Sequence, residues 1–124
     1  MRLRIKNLKY QVAIGVSQEE QNNPQIILIS LEFDFLRSPK VCETDNIEDT
    51  VCYDLVSREL QSVIYTKKFH TIEYLAKICL IRICEIFENK SFYIKKTSIE
   101  VTKLSPAISV QCENVTVFLT HPEL

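Results

Sequence analysis

Between Gln25 and Phe35 the chain alternates without a break. Ile27, Ile29, Leu31, Phe33 and Phe35 fall on one face, and Ser30, Glu32 and Asp34 on the other. A period of two over this length suits a strand with one face buried, so the fold must cover one side of a sheet. The segment before it alternates too. Leu8, Tyr10, Val12 and Ile14 share a face, whereas Leu3 and Ile5 stand in the opposite phase, which predicts a bulge near Lys6-Asn7. Gly15 breaks this first strand. The stretch from Ser17 to Gln25 is polar and carries the turn signature Asn22-Asn23-Pro24. The two strands therefore read as a hairpin joined by a loop with a functional look.

Past a connector from Arg37 to Asn46 the period changes. Val51, Leu55, Val56, Leu60, Val63 and Ile64 recur at helical spacing, and Asp45 or Asn46 is placed to cap a helix beginning near Ile47. After a break at Lys67-Lys68-Phe69-His70, Thr71 is placed to cap a second helix. Its stripe is Ile72, Leu75, Ala76, Cys79, Ile83, Ile86 and Phe87, and Glu88-Asn89-Lys90 ends it. A third strand is expected from about Tyr93 to Lys103, followed by a turn at Ser105-Pro106. The last strand carries Ile108, Val110 and Cys112, then Val115, Val117 and Leu119, with a second bulge at Glu113-Asn114. The order ββααββ predicts an α+β fold, a four-stranded antiparallel sheet with two helices on one face. The 124 residues suit one domain, 1–124. Such a sheet has two open edges, and closure by neighbouring subunits would remove them.

Composition narrows the chemistry. A formal net charge of -1 gives no basic field for nucleic acid. No run nears the roughly 18 apolar residues that span a bilayer, and the start lacks the apolar core of a signal peptide, so a cytoplasmic protein without nucleic-acid or membrane partners is expected. One glycine in the whole chain excludes glycine-rich phosphate loops. The five cysteines are odd in number and widely spaced, which favours structural thiols over a disulfide framework. Two histidines, His70 and His121, exclude a zinc site of three His within one chain. Titratable residues that stand out by position are Glu19 and Glu20 in the loop after Gly15, Tyr53 early in the first helix, Glu73 at the start of the second, and Lys103 at the end of the third strand. Each also has an ordinary reading: a solvated loop acid, a helix-dipole partner, a half-buried Tyr, an edge-protecting Lys.

Four blocks raise their standing. Leu3-Arg4-Ile5-Lys6-Asn7-Leu8 with Ile14-Gly15-Val16 and Glu20, the run Asp45 to Tyr53, the block Phe69-His70-Thr71-Ile72-Glu73-Tyr74-Leu75-Ala76, and Val101-Thr102-Lys103-Leu104-Ser105-Pro106-Ala107 come in the order found in dihydroneopterin aldolases. Together they resemble that family over nearly the whole chain. The resemblance implies the tunnelling fold, in rings of four subunits often paired into homo-octamers, with sites at subunit interfaces. It implies a lyase of folate biosynthesis that needs neither metal nor other cofactor and acts on a small pterin. Glu73 matches the anchor of the pterin ring, with Ile72 beside it. Thr50, Val51 and Tyr53 match the part of the pocket lent by an adjacent subunit. Lys103, with Glu20 and Tyr53, matches the catalytic set. The family also holds epimerases of dihydroneopterin triphosphate. Leu104, where aldolases commonly have Pro, and the loop Glu19-Glu20-Gln21-Asn22-Asn23 lean that way, and Lys67, Lys68, Lys95 and Lys96 are candidate cations for a triphosphate. A non-catalytic pterin-binding oligomer of the same fold is a further alternative.

Overall fold

The computed structural model describes residues 1–88, 90 and 92–122. Among these, four strands form one antiparallel sheet in the order β1-β2-β3-β4: β1 (Arg2–Val12), β2 (Gln25–Phe35), β3 (Ile94–Lys103) and β4 (Val115–His121). The long helices α3 (Tyr53–Ile64) and α4 (Ile72–Phe87) lie between β2 and β3 in sequence. They cover the sheet face that carries Ile27, Ile29, Leu31 and Phe33 of β2 and Ile99 and Val101 of β3, all essentially inaccessible to solvent. Leu60 and Ile64 of α3 and Leu75, Cys79, Leu80 and Ile83 of α4 complete this core. Tyr10 ties β1 to α3 by donating its buried hydroxyl to the Ser57 carbonyl at 3.0 Å, and burial pushes its pKa up to about 12. The other face of the sheet is polar apart from the exposed Phe118: Arg2 pairs with Asp34 and Arg4 with Glu32 across β1 and β2, and Ser98 meets Thr120 across β3 and β4.

The bulge in β1 falls where the two phases collide. Pairing with β2 shifts between Ile5 and Leu8, and Asn7 takes φ 59°. This puts Leu3 and Ile5 on the same side as Leu8, Tyr10 and Val12. Asn is among the few side chains that accept that backbone region at small cost. Its N–H donates to Ser30 Oγ at 2.9 Å, and the Ser30 hydroxyl donates back to Asn7 Oδ1 at 3.3 Å. Thr71 caps α4 by accepting from the Tyr74 N–H. The five cysteines are free, and burial raises the Cys79 thiol to about 12, which keeps it inert.

Several expectations need correction. The helix expected from Ile47 is divided. Asn46 caps a 3-10 turn over Ile47–Asp49, Thr50 to Cys52 is extended, and α3 starts at Tyr53. Val51, counted in the helical stripe, precedes the helix and is fully buried. Two short helices were not expected, α1 (Gln18–Asn22) in the polar loop and α2 (Val41–Thr44) in the connector. The third strand, Ile94–Lys103, falls within a residue of its expected bounds. The last strand is shorter than its alternation suggests: residues 108 to 112 are exposed and outside the sheet. Their would-be partner has run out, because β3 ends at Lys103, opposite Val115, the first residue of β4. The expected bulge at Glu113-Asn114 is therefore no part of a strand. Asn89, in the expected helix stop, lies outside the described residues.

Candidate active site

Three separate pieces of chain meet beside the end of β3. The Gly15 N–H donates to the Phe69 carbonyl at 3.0 Å, and the Phe69 N–H donates to the Ala13 carbonyl at 3.2 Å. These bonds zip the segment after β1 to the segment before α4 as a short parallel bridge, Ile14 to Phe69. Gln21, buried despite its polarity, locks the joint: its amide nitrogen donates to the carbonyls of Gly15 at 2.5 Å and Phe69 at 2.8 Å. Helix α1 is only five residues, too short to persist alone. A capping box holds it. The Ser17 hydroxyl accepts from the Glu20 N–H at 3.1 Å, and the Glu20 carboxylate accepts from the Ser17 N–H at 3.4 Å.

The same carboxylate reaches across to β3. Lys103 Nζ donates to Glu20 Oε2 at 2.8 Å, with the two side chains 16% and 17% exposed. The hydrogen bond from Lys103 is the main cause that holds the Glu20 carboxyl below its usual range. The Ser17 N–H and hydroxyl and the Lys103 charge add to it, while partial burial opposes. Gly15 makes room for this arrangement. At φ +143° it takes a conformation that side chains rarely adopt, and a Cβ there would overlap the Glu20 side chain.

The pair stands in a cleft of about 290 Å³ whose walls include Glu20, His70, Ile72, Glu73, Lys103 and the turn Pro106 to Ile108. Glu73 sits exposed in the first turn of α4, one residue past the buried Ile72. The fold thus brings Glu20, Ile72, Glu73 and Lys103 together. It does not bring Thr50, Val51 and Tyr53 to them. Tyr53 is 58% exposed and lines a different groove with Leu3, Ile5 and Leu8. Thr50 closes the 3-10 turn through its N–H to the Ile47 carbonyl, and the buried Val51 has no side-chain surface to offer. Nor do the four lysines cluster. Lys95 and Lys96 stand at the opposite end of β3 from Lys103, roughly 23 Å away along an extended strand. Lys67 donates to the Tyr74 hydroxyl at 2.9 Å and lies over its ring, and with Lys68 it lines a third groove.

No local pattern marks Gln21, Gln25 and His70 for their places at this joint. Gln25 donates to the Ile14 carbonyl at 3.2 Å beneath the joint, while its buried Oε1 accepts from none of the described residues. A polar loop hides such residues, because a Gln that will be buried looks like one that will be solvated. Among the described residues no three His, Cys, Asp or Glu side chains gather as metal ligands would. Among the described residues no helix is long and apolar enough to cross a membrane.

Sheet, helices and cleft together define a small α+β protein with an acid–lysine pair beside a helix N-terminus. The family model of dihydroneopterin aldolase (FolB) matches residues 3–120, and the chain belongs to that family of enzymes. It is 34% identical over 107 residues to a "probable dihydroneopterin aldolase" of Chlamydia trachomatis, covering 86% of this chain and 84% of that one. It is 29% identical over 75 residues to the dihydroneopterin triphosphate 2'-epimerase of Escherichia coli K12, covering 60% of this chain and 62% of that one. The fold is that of E. coli dihydroneopterin aldolase, solved in complex with neopterin. The TM-score is 0.82 at 20% identity, with 98% of each chain covered.

Proposed function

We propose that the chain is a dihydroneopterin aldolase of folate biosynthesis, cleaving the side-chain C1′–C2′ bond of 7,8-dihydroneopterin to give 6-hydroxymethyl-7,8-dihydropterin and glycolaldehyde. The observation that carries this reading is the Lys103–Glu20 pair in the same cleft as Glu73. A dihydropterin presents its 2-amino group and ring N–H as parallel donors, and a carboxylate accepts two such bonds side by side. Glu73 takes that role, with Ile72 beside it. The side chain then extends toward Lys103 and Glu20. Together they take the proton of the 2′-hydroxyl as the C1′–C2′ electrons move into the ring C=N bond. The substrate is its own electron sink, so the step calls on no metal. The enamine left behind is protonated at C1′, the role assigned to Tyr53 of an adjacent subunit.

The supply of Tyr53, Thr50 and Val51 from a neighbour, Val51 through its backbone because its side chain is buried, makes the working unit a ring, tetrameric or doubled to an octamer. What supports this is the position of Tyr53 beside β1, one open edge of the sheet, while the cleft lies beside the start of β4, the other. The test is to incubate the protein with 7,8-dihydroneopterin and with its triphosphate, with and without chelator. Glycolaldehyde from the first, indifferent to chelator, is expected. Lys103→Ala should abolish its release and keep pterin binding, whereas Glu73→Ala should weaken binding of the ring itself; full turnover by the first variant would sink the assignment. A second reading, the triphosphate 2'-epimerase, is favoured by the likeness to the E. coli epimerase and by Leu104 after Lys103. It predicts a 2′ epimer from the triphosphate and no glycolaldehyde. Turnover of neither would leave a pterin-binding oligomer.

A further inference from the structure

We infer that His70 is a specificity-determining residue: its Nε2 accepts a hydrogen bond from a hydroxyl of the polyol side chain carried by the pterin. This rests on the pterin reading of the cleft. His70 is exposed on the cleft wall, and its Nδ1 lies 3.4 Å from both the Gly15 carbonyl and Gln21 Nε2. Which tautomer this favours follows from counting hydrogens. The Gln21 amide nitrogen has two, and the carbonyls of Gly15 and Phe69 take both at shorter range. Nothing remains for His70 Nδ1 to accept, so Nδ1 carries the hydrogen and donates to the Gly15 carbonyl. The neutral ring then has its lone pair on Nε2, the nitrogen on the ring edge away from that bond. The carbonyl that orients His70 belongs to the residue packed against the Glu20 side chain. His70 lines the same cleft as Glu20 and Lys103, the cleft in which the proposed reading puts the substrate's hydroxylated carbons.

The test compares two ligands on one protein. Neopterin carries the trihydroxypropyl chain, and 6-methylpterin carries the same ring without hydroxyls. Dissociation constants are measured by fluorescence titration for wild type, His70→Ala, His70→Gln and His70→Asn. Loss of one hydrogen bond should weaken neopterin about five- to tenfold in His70→Ala and leave 6-methylpterin unchanged. A Gln amide reaches where Nε2 was, and an Asn amide only where Nδ1 was. Direct contact therefore predicts that His70→Gln keeps most of the neopterin preference and His70→Asn loses it. The opposite order would mean that His70 matters only through its bond to Gly15 and would overturn the inference. Equal weakening of both ligands, or of neither, would do the same. Should wild type bind neither ligand, the pterin reading itself falls and this one with it.

Discussion

An ammonium and a carboxylate 2.8 Å apart, each about one-sixth exposed, are screened by water far less than a surface pair. The folded Glu20 carboxyl ionises below its ordinary 4.5. A group with a depressed folded pKa contributes stability that is fully present above its unfolded pKa and is lost as pH falls through the folded value. The Lys103–Glu20 pair should therefore help at neutral pH and fade on the acid side of about 4.5. Lys103→Met should be less stable than wild type at pH 7 and converge with it toward pH 3, as read from urea midpoints across that range; parallel curves would show that the pair contributes nothing. Gly15 is the residue on which this pair depends most sterically. In Gly15→Ala the new methyl must displace Glu20, and the backbone is strained at φ +143°. We expect a stability loss of about 1–3 kcal/mol. With Glu20 and Lys103 acting as proposed, glycolaldehyde release should fall by about a hundredfold, because the displaced carboxylate loses its alignment. A melting curve and a single-turnover assay check both, and wild-type values in each would refute the steric argument.

Helix α1 shows how an element can matter more to the site than to the fold. It is five residues long, carries Glu20 at its third position and is held by Ser17. Ser17→Ala should cost about 1 kcal/mol of stability but lower turnover about tenfold, because the freed turn no longer presents the carboxylate. Ser17→Thr should restore both. A turnover rate unmoved by Ser17→Ala would separate the cap from the chemistry. The same helix marks where sequence reading stopped. β2 and α4 were legible because each is long and buries one face, so period and burial coincide in Ile27 to Phe35 and in Ile72 to Phe87. α1 has no apolar stripe, and its Ser-x-x-Glu signature is followed by polar residues. The division before Tyr53 was hidden because Val51 fits the helical spacing while sitting in the core by another route. At β4 the alternation of Ile108, Val110 and Cys112 is real, but pairing is decided by where β3 ends, a non-local fact. Glu20, Glu73 and Lys103 could be picked out as residues at element ends. That Glu20 and Lys103 touch depends on the bridge between Ile14 and Phe69 and on the buried Gln21 amide, which have no local pattern to betray them.

At the scale of the molecule, the residues proposed for one reaction lie on opposite sides of the sheet. The cleft sits beside the start of β4, and Tyr53 sits beside β1, the two strands with an unpaired edge. A head-to-tail contact that pairs β4 of one subunit with β1 of the next would satisfy both edges, keep neighbouring strands antiparallel and close into a ring. It would also carry each Tyr53 toward the neighbour's Lys103. This arrangement has a consequence that a self-contained site lacks. On the proposed mechanism Lys103→Ala alone lacks the base pair and Tyr53→Phe alone lacks the acid, so each homo-oligomer should be close to inactive. When the two are unfolded together in equal amounts and refolded, some interfaces join a Tyr53→Phe chain, with its intact Lys103, to a Lys103→Ala chain, with its intact Tyr53. Random assembly places such a pairing at about a quarter of the sites. Glycolaldehyde release by the mixture should therefore rise to about a quarter of the wild-type rate, while mixing the folded variants without unfolding should leave it near zero until subunits exchange. A refolded mixture no more active than its components would mean that Tyr53 and Lys103 act within one chain or that Tyr53 has no part in the reaction.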